Sequence, residues 1–235
     1  MELMKAEYID HLGDDLRVAD AARVSFNKES AWEIKKVSTF LEPETYELTL
    51  SEKDEKLIKY LANHGHWTPF AHPQITVRET VPIFVARQRF KHMVGFVYNE
   101  VSRRYVDDEP EFFKPIWRQR PEKSIKQGSG EAFLDKIQKK ITKEVDKHNA
   151  KALKLYNKLL KDNVAPEQAR SVLPQSMYTS YYVTGSLAAW ARAYKQRRDT
   201  HTAQIEIVEL AGYWDEIMGS LFPVSWKYLA PTYEE

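Results

Sequence analysis

No cysteine occurs anywhere in this chain, and that absence narrows what it can fold into. Neither disulfides nor a cysteine-ligated zinc can staple the structure, so the fold must rest on packing of its own apolar residues. With 235 residues and a hydrophobic fraction of 43%, the chain can bury a sizeable core, which excludes disorder. The length fits one domain, although two would also fit. The same absence removes any cysteine nucleophile, so a substrate would have to be activated by other chemistry.

Charge narrows the partners. Thirty-five basic side chains face 34 acidic ones, a net charge of +1. There is no global pull toward nucleic acid or membrane, and any anion recognition must be local. No apolar run approaches the roughly 20 residues that span a bilayer. The start, MELMKAEYIDHLGDD, lacks a basic stretch followed by an apolar block, so a soluble cytoplasmic protein is expected.

Helical signals outnumber strand signals, in mixed order. Ser51 with Asp54 resembles a capping pair, and Leu57, Ile58 and Leu61 then predict a helix of about 14 residues ending at Gly65. Ile75 and Val77 alternate with Thr76 and Arg78, a short strand. Thr80 and Pro82 predict the cap and first turn of a helix through Ile83, Phe84 and Phe90. Asp107 to Gly130, rich in Pro, Gly and charge, reads as a long surface loop. From Glu131 to Lys161 the apolar residues keep helical spacing, giving one long amphipathic helix or two joined. Pro166 opens a short helix that Pro174 closes, and Met177 to Val183 favour a strand broken at Gly185. Helices follow near Ser186–Arg197 and Thr202–Leu221. The expectation is one α+β domain over residues 1–235, with a small central sheet flanked by several helices, one of them long.

Chemistry concentrates in ARQRFKHMVGFVYNEVSRRY, Ala86 to Tyr105. Arg87, Arg89, Lys91, His92, Arg103 and Arg104 are balanced there by Glu100 alone. If the first half is helical, Gln88, Lys91 and His92 share one face. Arginine with serine suits a phosphate, since guanidinium offers a planar pair of donors and serine adds a hydroxyl. Glu100 could accept from a sugar hydroxyl or an amide. Spacing alone leaves two readings open, a solvated basic face and an anion site.

This segment resembles the motif of the flavin-dependent thymidylate synthases: Arg-His-Arg, seven residues, then Ser, with Asn-Glu in the gap and Arg-Tyr after the Ser. Lys91-His92-Met93, Asn99-Glu100, Ser102, Arg104 and Tyr105 correspond, and Gln88 matches the family's preceding glutamine. Lys91 and Met93 stand where the family has arginines, and eight residues separate Met93 from Ser102. Four further segments are similar to the family in order: Gly13-Asp14-Asp15 with Ala21 to Phe26, Gly65-His66-Trp67-Thr68-Pro69-Phe70-Ala71-His72, Ala169 to Pro174, and Gly185 to Arg197 with Asp199-x-His201 and Ala203 to Ile207. Pro82 to Gln88 resembles the lead-in to the central motif.

The resemblance implies methylation of dUMP to dTMP, with methylenetetrahydrofolate as carbon donor, FAD as cofactor and NADPH as reductant. It implies electrostatic polarisation of the uracil by Arg197 in place of covalent attack. Counting back from Glu206 would select Arg198 instead, but the Asp199-x-His201 spacing favours Arg197, with Thr202 inserted. By the same resemblance Gln88, Lys91, Glu100, Val101, Ser102, Arg103, Arg104, Arg170 and Arg197 would hold dUMP. His66, Thr68, Lys91, His92, Met93, Glu100, Ser186 and Arg192 would hold FAD. A homotetramer with active sites built across subunits is implied, without nucleic acid or membrane partners.

Other signals are weak. His64, His66 and His72 lack a cysteine or well-spaced carboxylate to complete a metal site, so no metal is expected. Asp199-x-His201 reads as helix capping with a packed histidine. Gly128-Ser129-Gly130 lacks a Walker lysine, and no Gly-x-Gly-x-x-Gly follows a strand. Two rivals to the synthase are a flavoprotein that kept the fold and lost methylation, and a nucleotide- or RNA-binding module using the Arg87–Arg104 stretch. The near-neutral charge counts against RNA, because non-specific affinity needs several phosphate contacts.

Overall fold

The computed structural model describes residues 4–37, 45–105, 108–121, 128–200 and 203–230. The first strand, β1 (Lys5–Leu12), leads into α1 (Asp15–Arg23), where the Asp14 carboxylate accepts from the Arg17 amide as N-cap. A hairpin of β2 (Glu33–Val37) and β3 (Thr45–Thr49) follows. In α2 (Glu52–Asn63) Ser51 accepts from the Asp54 amide, as the capping pair predicts. That helix closes at His64, just short of the Gly65 that its sequence pattern suggests, because Gly65 takes φ +69°.

The strand seen in Ile75 and Val77 extends over nine residues as β4 (Gln74–Pro82), and Thr80 lies within it. Pro82, still extended, is the cap of α3 (Ile83–Arg89). β5 (Phe96–Glu100) comes next. After the segment that reads as a loop comes α4 (Asp135–Lys161), a single helix that starts four residues later than the spacing suggests, since Ala132 bridges Arg118 in extended backbone. α5 (Pro166–Ala169) and a 3-10 turn are followed by β6 (Tyr178–Ser186), α6 (Leu187–Arg197), α7 (Ile205–Leu221) and α8 (Pro223–Leu229). Asp107, His201 and Thr202 lie outside the described residues.

The strands β1, β4, β6 and β5 form one antiparallel sheet in that order. Ile75, Val77 and Val81 alternate inward on β4, and Thr179, Tyr181 and Val183 do so on β6. The helices α6 and α7 cover that face, with Trp190 and Trp214 fully buried. Burying rings of that size removes roughly 200 Å² each, about 5 kcal/mol apiece before entropy is counted. This is the α+β domain that the sequence implies. Gly185 does not break β6. It pairs with both Ile75 and Phe96, and its missing side chain makes room for the Phe96 ring, which would lie 2.3 Å from a Cβ there. Among the described residues no helix is long and apolar enough to cross a membrane.

Candidate active site

Two clusters of side chains gather around the Ala86–Tyr105 segment. The helix α3 ends at Arg89, so Gln88, Lys91 and His92 do not share a helical face. Lys91 and His92 lie in a turn closed by their amides on the carbonyls of Gln88 and Arg89, at 3.2 and 3.1 Å. That turn sends Lys91 out to solvent and His92 inward, 7% exposed. Gly95, at φ +80°, brings the chain back against α6, where a Cβ would lie 2.9 Å from that of Ala189.

Arg89 is not part of a basic face. It is completely buried, with its Nε donating to both Glu79 oxygens at 3.1 and 3.2 Å and its Nη1 to the Tyr98 hydroxyl at 2.7 Å. Its guanidinium lies over the rings of Phe96, Trp190 and Trp214 at 4.3, 4.9 and 4.7 Å, the cation–π arrangement that offsets lost hydration. Tyr98 passes the connection on by donating to the His92 carbonyl at 2.5 Å. Burial pushes the Tyr98 hydroxyl up to about 12, so it keeps that proton. The strand parity carried the signal for this network: Glu79 falls on the apolar side of β4, where a carboxylate requires a partner.

His92 meets α6 through its imidazole, where Nε2 accepts from Arg197 Nε at 2.9 Å. Burial first, then the charges of Arg89, Arg197 and Arg192, pull the imidazole down to about 4, so it is neutral and free to accept. Burial also lowers the Arg197 guanidinium. Arg198, the other candidate, points elsewhere: it lies over the Tyr194 ring at 5.4 Å and hydrogen-bonds its hydroxyl. Arg192 is exposed and donates to the Val94 carbonyl. Ser186 is buried and caps α6, accepting from the Ala189 amide at 3.3 Å. Met93 and Val94 are each 73% exposed.

The second cluster lines a cleft of about 440 Å³ between α3, the end of β5 and the turn after α5. It brings together Glu100, Val101, Arg103 and Arg170, and adds Arg87 and Thr179, which the motif alone does not single out. Thr179 donates to Glu100 at 2.6 Å and holds its carboxylate at the rim. Three guanidiniums, from helix, loop and turn, give the cleft the planar donor pairs that suit an anion. Arg103 reaches the Asp108 carbonyl, and Arg170 Nε donates to the Glu167 carbonyl at 3.4 Å. Ser102 accepts from the Arg104 amide and Nε, both at 3.3 Å. Neither group can take its proton, so among the described residues no hydrogen-bonded base activates Ser102 as a nucleophile. Gln88 donates to Gln204 at 2.6 Å, tying α3 to the start of α7.

His66 and Thr68 are both exposed, on the turn after α2, and the short 3-10 turn that follows Thr68 packs on α6. His66 meets the Tyr60 ring edge-on at 5.8 Å, and Thr68 begins a short 3-10 turn. Among the described residues no hydrogen bond or ring contact joins them to the His92–Arg197 pair. His64 stacks on Tyr60 at 4.0 Å, its ring nitrogen donating to the Tyr60 carbonyl.

Fold and site together define an α+β protein with a cleft lined by three arginines and a part-buried histidine–arginine pair. The pattern of the family described as thymidylate synthase complementing protein, Thy1, matches residues 7–224. The flavin-dependent thymidylate synthase of Thermosipho africanus is 35% identical over 203 residues, 86% of this chain and 80% of that one. The enzyme of the same name from Kosmotoga olearia is 33% identical over 219 residues, covering 93% and 86%. A solved structure of the UMP/dUMP methylase PolB from Streptomyces cacaoi, bound with 5-Br UMP, superposes with a TM-score of 0.79 at 25% identity, covering 97% of this chain and 93% of that one. The chain belongs to the flavin-dependent thymidylate synthase family.

Proposed function

We propose that this chain methylates dUMP to dTMP, with methylenetetrahydrofolate as carbon donor, NADPH as reductant and FAD as cofactor, and without a covalent nucleophile. The observation that carries this reading is the convergence of Glu100, Val101, Arg103 and Arg170 on one anion-binding cleft, in a chain whose relatives are named as flavin-dependent thymidylate synthases.

In this account the nucleotide phosphate meets Arg103, Arg104 and Arg170, with Ser102 adding a hydroxyl and Val101 its backbone. Gln88, Lys91 and Glu100 orient the sugar and base. Arg197 faces the uracil carbonyl and ring nitrogen, where a fixed guanidinium stabilises the negative charge that develops as carbon 5 becomes nucleophilic. His92 acts behind it, holding Nε of Arg197 and leaving its terminal nitrogens to the ligand. Its neutrality matters, because an imidazolium could not accept that bond.

The residues fit a flavin dinucleotide. Lys91 and Arg192 supply cationic donors beside exposed Met93 and Val94, a pairing that suits a ligand with both a diphosphate and a flat apolar ring. His66, Thr68, His92, Glu100 and Ser186 complete the proposed FAD set. Bound there, FAD supplies the redox chemistry, and the protein supplies position and field. By the family resemblance, the assembly is a homotetramer whose sites draw residues from more than one subunit. The catalytic unit spans residues 1–235, and the cytoplasm is its place.

The reading is tested by loading the purified chain with FAD and following flavin absorbance on adding NADPH, then dUMP or UMP. Bound yellow flavin that NADPH bleaches, with a spectral change on nucleotide, is expected. A colourless protein that cannot be loaded would overturn it.

A further inference from the structure

The outer face of α4 has no role in the site above. This helix carries nine of the chain's 35 basic side chains but only three of its 34 acidic ones, Asp135, Glu144 and Asp146. From Lys136 through Lys143, Lys147 and Lys154 to Lys161, eight lysines recur in steps of 4, 3, 4, 4, 3, 4 and 3 residues. At about 100° per residue all eight fall in a stripe about 80° wide, running about 38 Å along the helix. Every one of them is exposed. Ile141, Val145, Asn149, Ala152 and Tyr156 occupy the opposite face, and of these Asn149 and Tyr156 are buried against the body.

Solubility does not require such a face. An exposed helix is made soluble by mixed signs, and like charges three or four residues apart destabilise it. The chain has acids to spare elsewhere, yet among the described residues no stripe lysine is ion-paired with a carboxylate. The one ion pair of α4 among them joins Asp146 to Lys114 at 3.7 Å, off the stripe. Nor does the stripe suit a two-fold pairing with a second copy, which would set lysine against lysine.

We propose that this stripe binds the phosphate backbone of duplex nucleic acid. Its length is close to one helical turn of a duplex, about 34–36 Å. It carries no aromatic side chain on which unpaired bases could stack. Ile137 and Leu155 are the large apolar side chains that α4 exposes, at 42% and 45%, and about 27 Å apart along the helix they form no continuous apolar face to insert into a lipid surface. The chain's near-zero net charge is an average that conceals this local field. The proposal does not rest on methylation and stands or falls separately from it.

The test is fluorescence anisotropy of a labelled duplex of about two turns with the full-length protein, across a salt series. Binding should weaken steeply: if roughly five lysines reach phosphates, about 500-fold between 50 and 200 mM salt. The variant with Lys143, Lys147, Lys151 and Lys154 all changed to Gln should bind at least about tenfold more weakly at low salt. Its log–log salt slope should be shallower by about 0.9 for each phosphate that is no longer neutralised. Circular dichroism should show its helix intact, and its melting temperature should be no lower, since like-charge repulsion is removed. No duplex binding by the parent at 50 mM salt, equal binding by the variant, or stronger binding to phosphatidylglycerol-containing vesicles than to duplex would each overturn the proposal.

Discussion

Arg197 donates from Nε to Nε2 of His92 across 2.9 Å, joining the last turn of α6 to the turn after α3. The bond requires an unprotonated imidazole, and pH therefore acts on it. The folded pKa of His92 is about 4 against an ordinary 6.5. The unfolded chain thus binds the proton more readily, and folding stability falls as pH drops from 6.5 to about 4. At about 1.36 kcal/mol per unit, the loss is at most about 3.4 kcal/mol. Urea midpoints measured over this range should fall more steeply for the parent than for His92→Gln, which keeps an acceptor but does not titrate. Parallel curves would remove the buried neutral histidine from the account.

Arg198 provides the control for Arg197. Arg197→Ala should still bind FAD, and NADPH should still bleach it, while methylation drops roughly 100–1,000-fold, as for loss of one preorganised electrostatic donor. Arg197→Lys should recover only part of the rate, because a point charge cannot replace a planar donor pair. Arg198→Ala removes the guanidinium that lies over the Tyr194 ring and should show mainly reduced stability. A silent Arg197→Ala beside an inactive Arg198→Ala would move the role one position along.

The buried Glu79–Arg89 pair should behave as a unit. Arg89→Met strands a carboxylate at 0% exposure and should cost about 3–5 kcal/mol. Adding Glu79→Gln should return a large part of that, since the amide can still accept from Trp214 Nε1, now 2.9 Å away. Denaturant midpoints of the single and double variants check this. Equal destabilisation of both would mean that packing of the guanidinium against Phe96, Trp190 and Trp214 outweighs the charge.

Much of this was legible in the sequence, and the gaps have physical reasons. The elements with strong local signals are where spacing and caps put them: Ser51 caps α2, the period from Glu131 to Lys161 becomes α4, and Ser186 starts α6. The edge strands β1 and β5 carry little alternation because one or both of their faces meet solvent. The short helix α8 depends on tertiary capping, with the Asp15 carboxylate accepting from the amides of Val224 and Ser225 at 2.8 Å. Local propensity records none of that. The motif brings Glu100, Val101 and Arg103 to one cleft, which Arg170 of the later segment also lines. It could not tell Arg87, at the cleft, from Arg89, in the core, because a two-residue step on α3 reverses direction.

Gly185 tests the packing that sets β5 against β6. A Cβ there would meet the Phe96 ring at 2.3 and 2.4 Å and the Gly95 carbonyl at 3.1 Å. Gly185→Ala should cost about 1–3 kcal/mol as an overpacked site. It should also weaken nucleotide binding, because Glu100 and Val101 lie at the far end of the displaced strand. Thermal melting and nucleotide titration would detect both effects, and an unchanged melting temperature would show that Phe96 can rotate away freely.

The account turns on whether this cysteine-free chain exchanges the hydrogen at carbon 5 of dUMP for a methyl group. The direct measurement is tritium release from dUMP labelled at carbon 5, using FAD-loaded protein with methylenetetrahydrofolate and NADPH. Release matched by dTMP formation, and lost when either co-substrate is omitted, is the predicted result. A protein that holds FAD, is bleached by NADPH and binds dUMP, yet releases no tritium and forms no dTMP, would contradict the account and leave a flavoprotein that has kept the fold without the methylation.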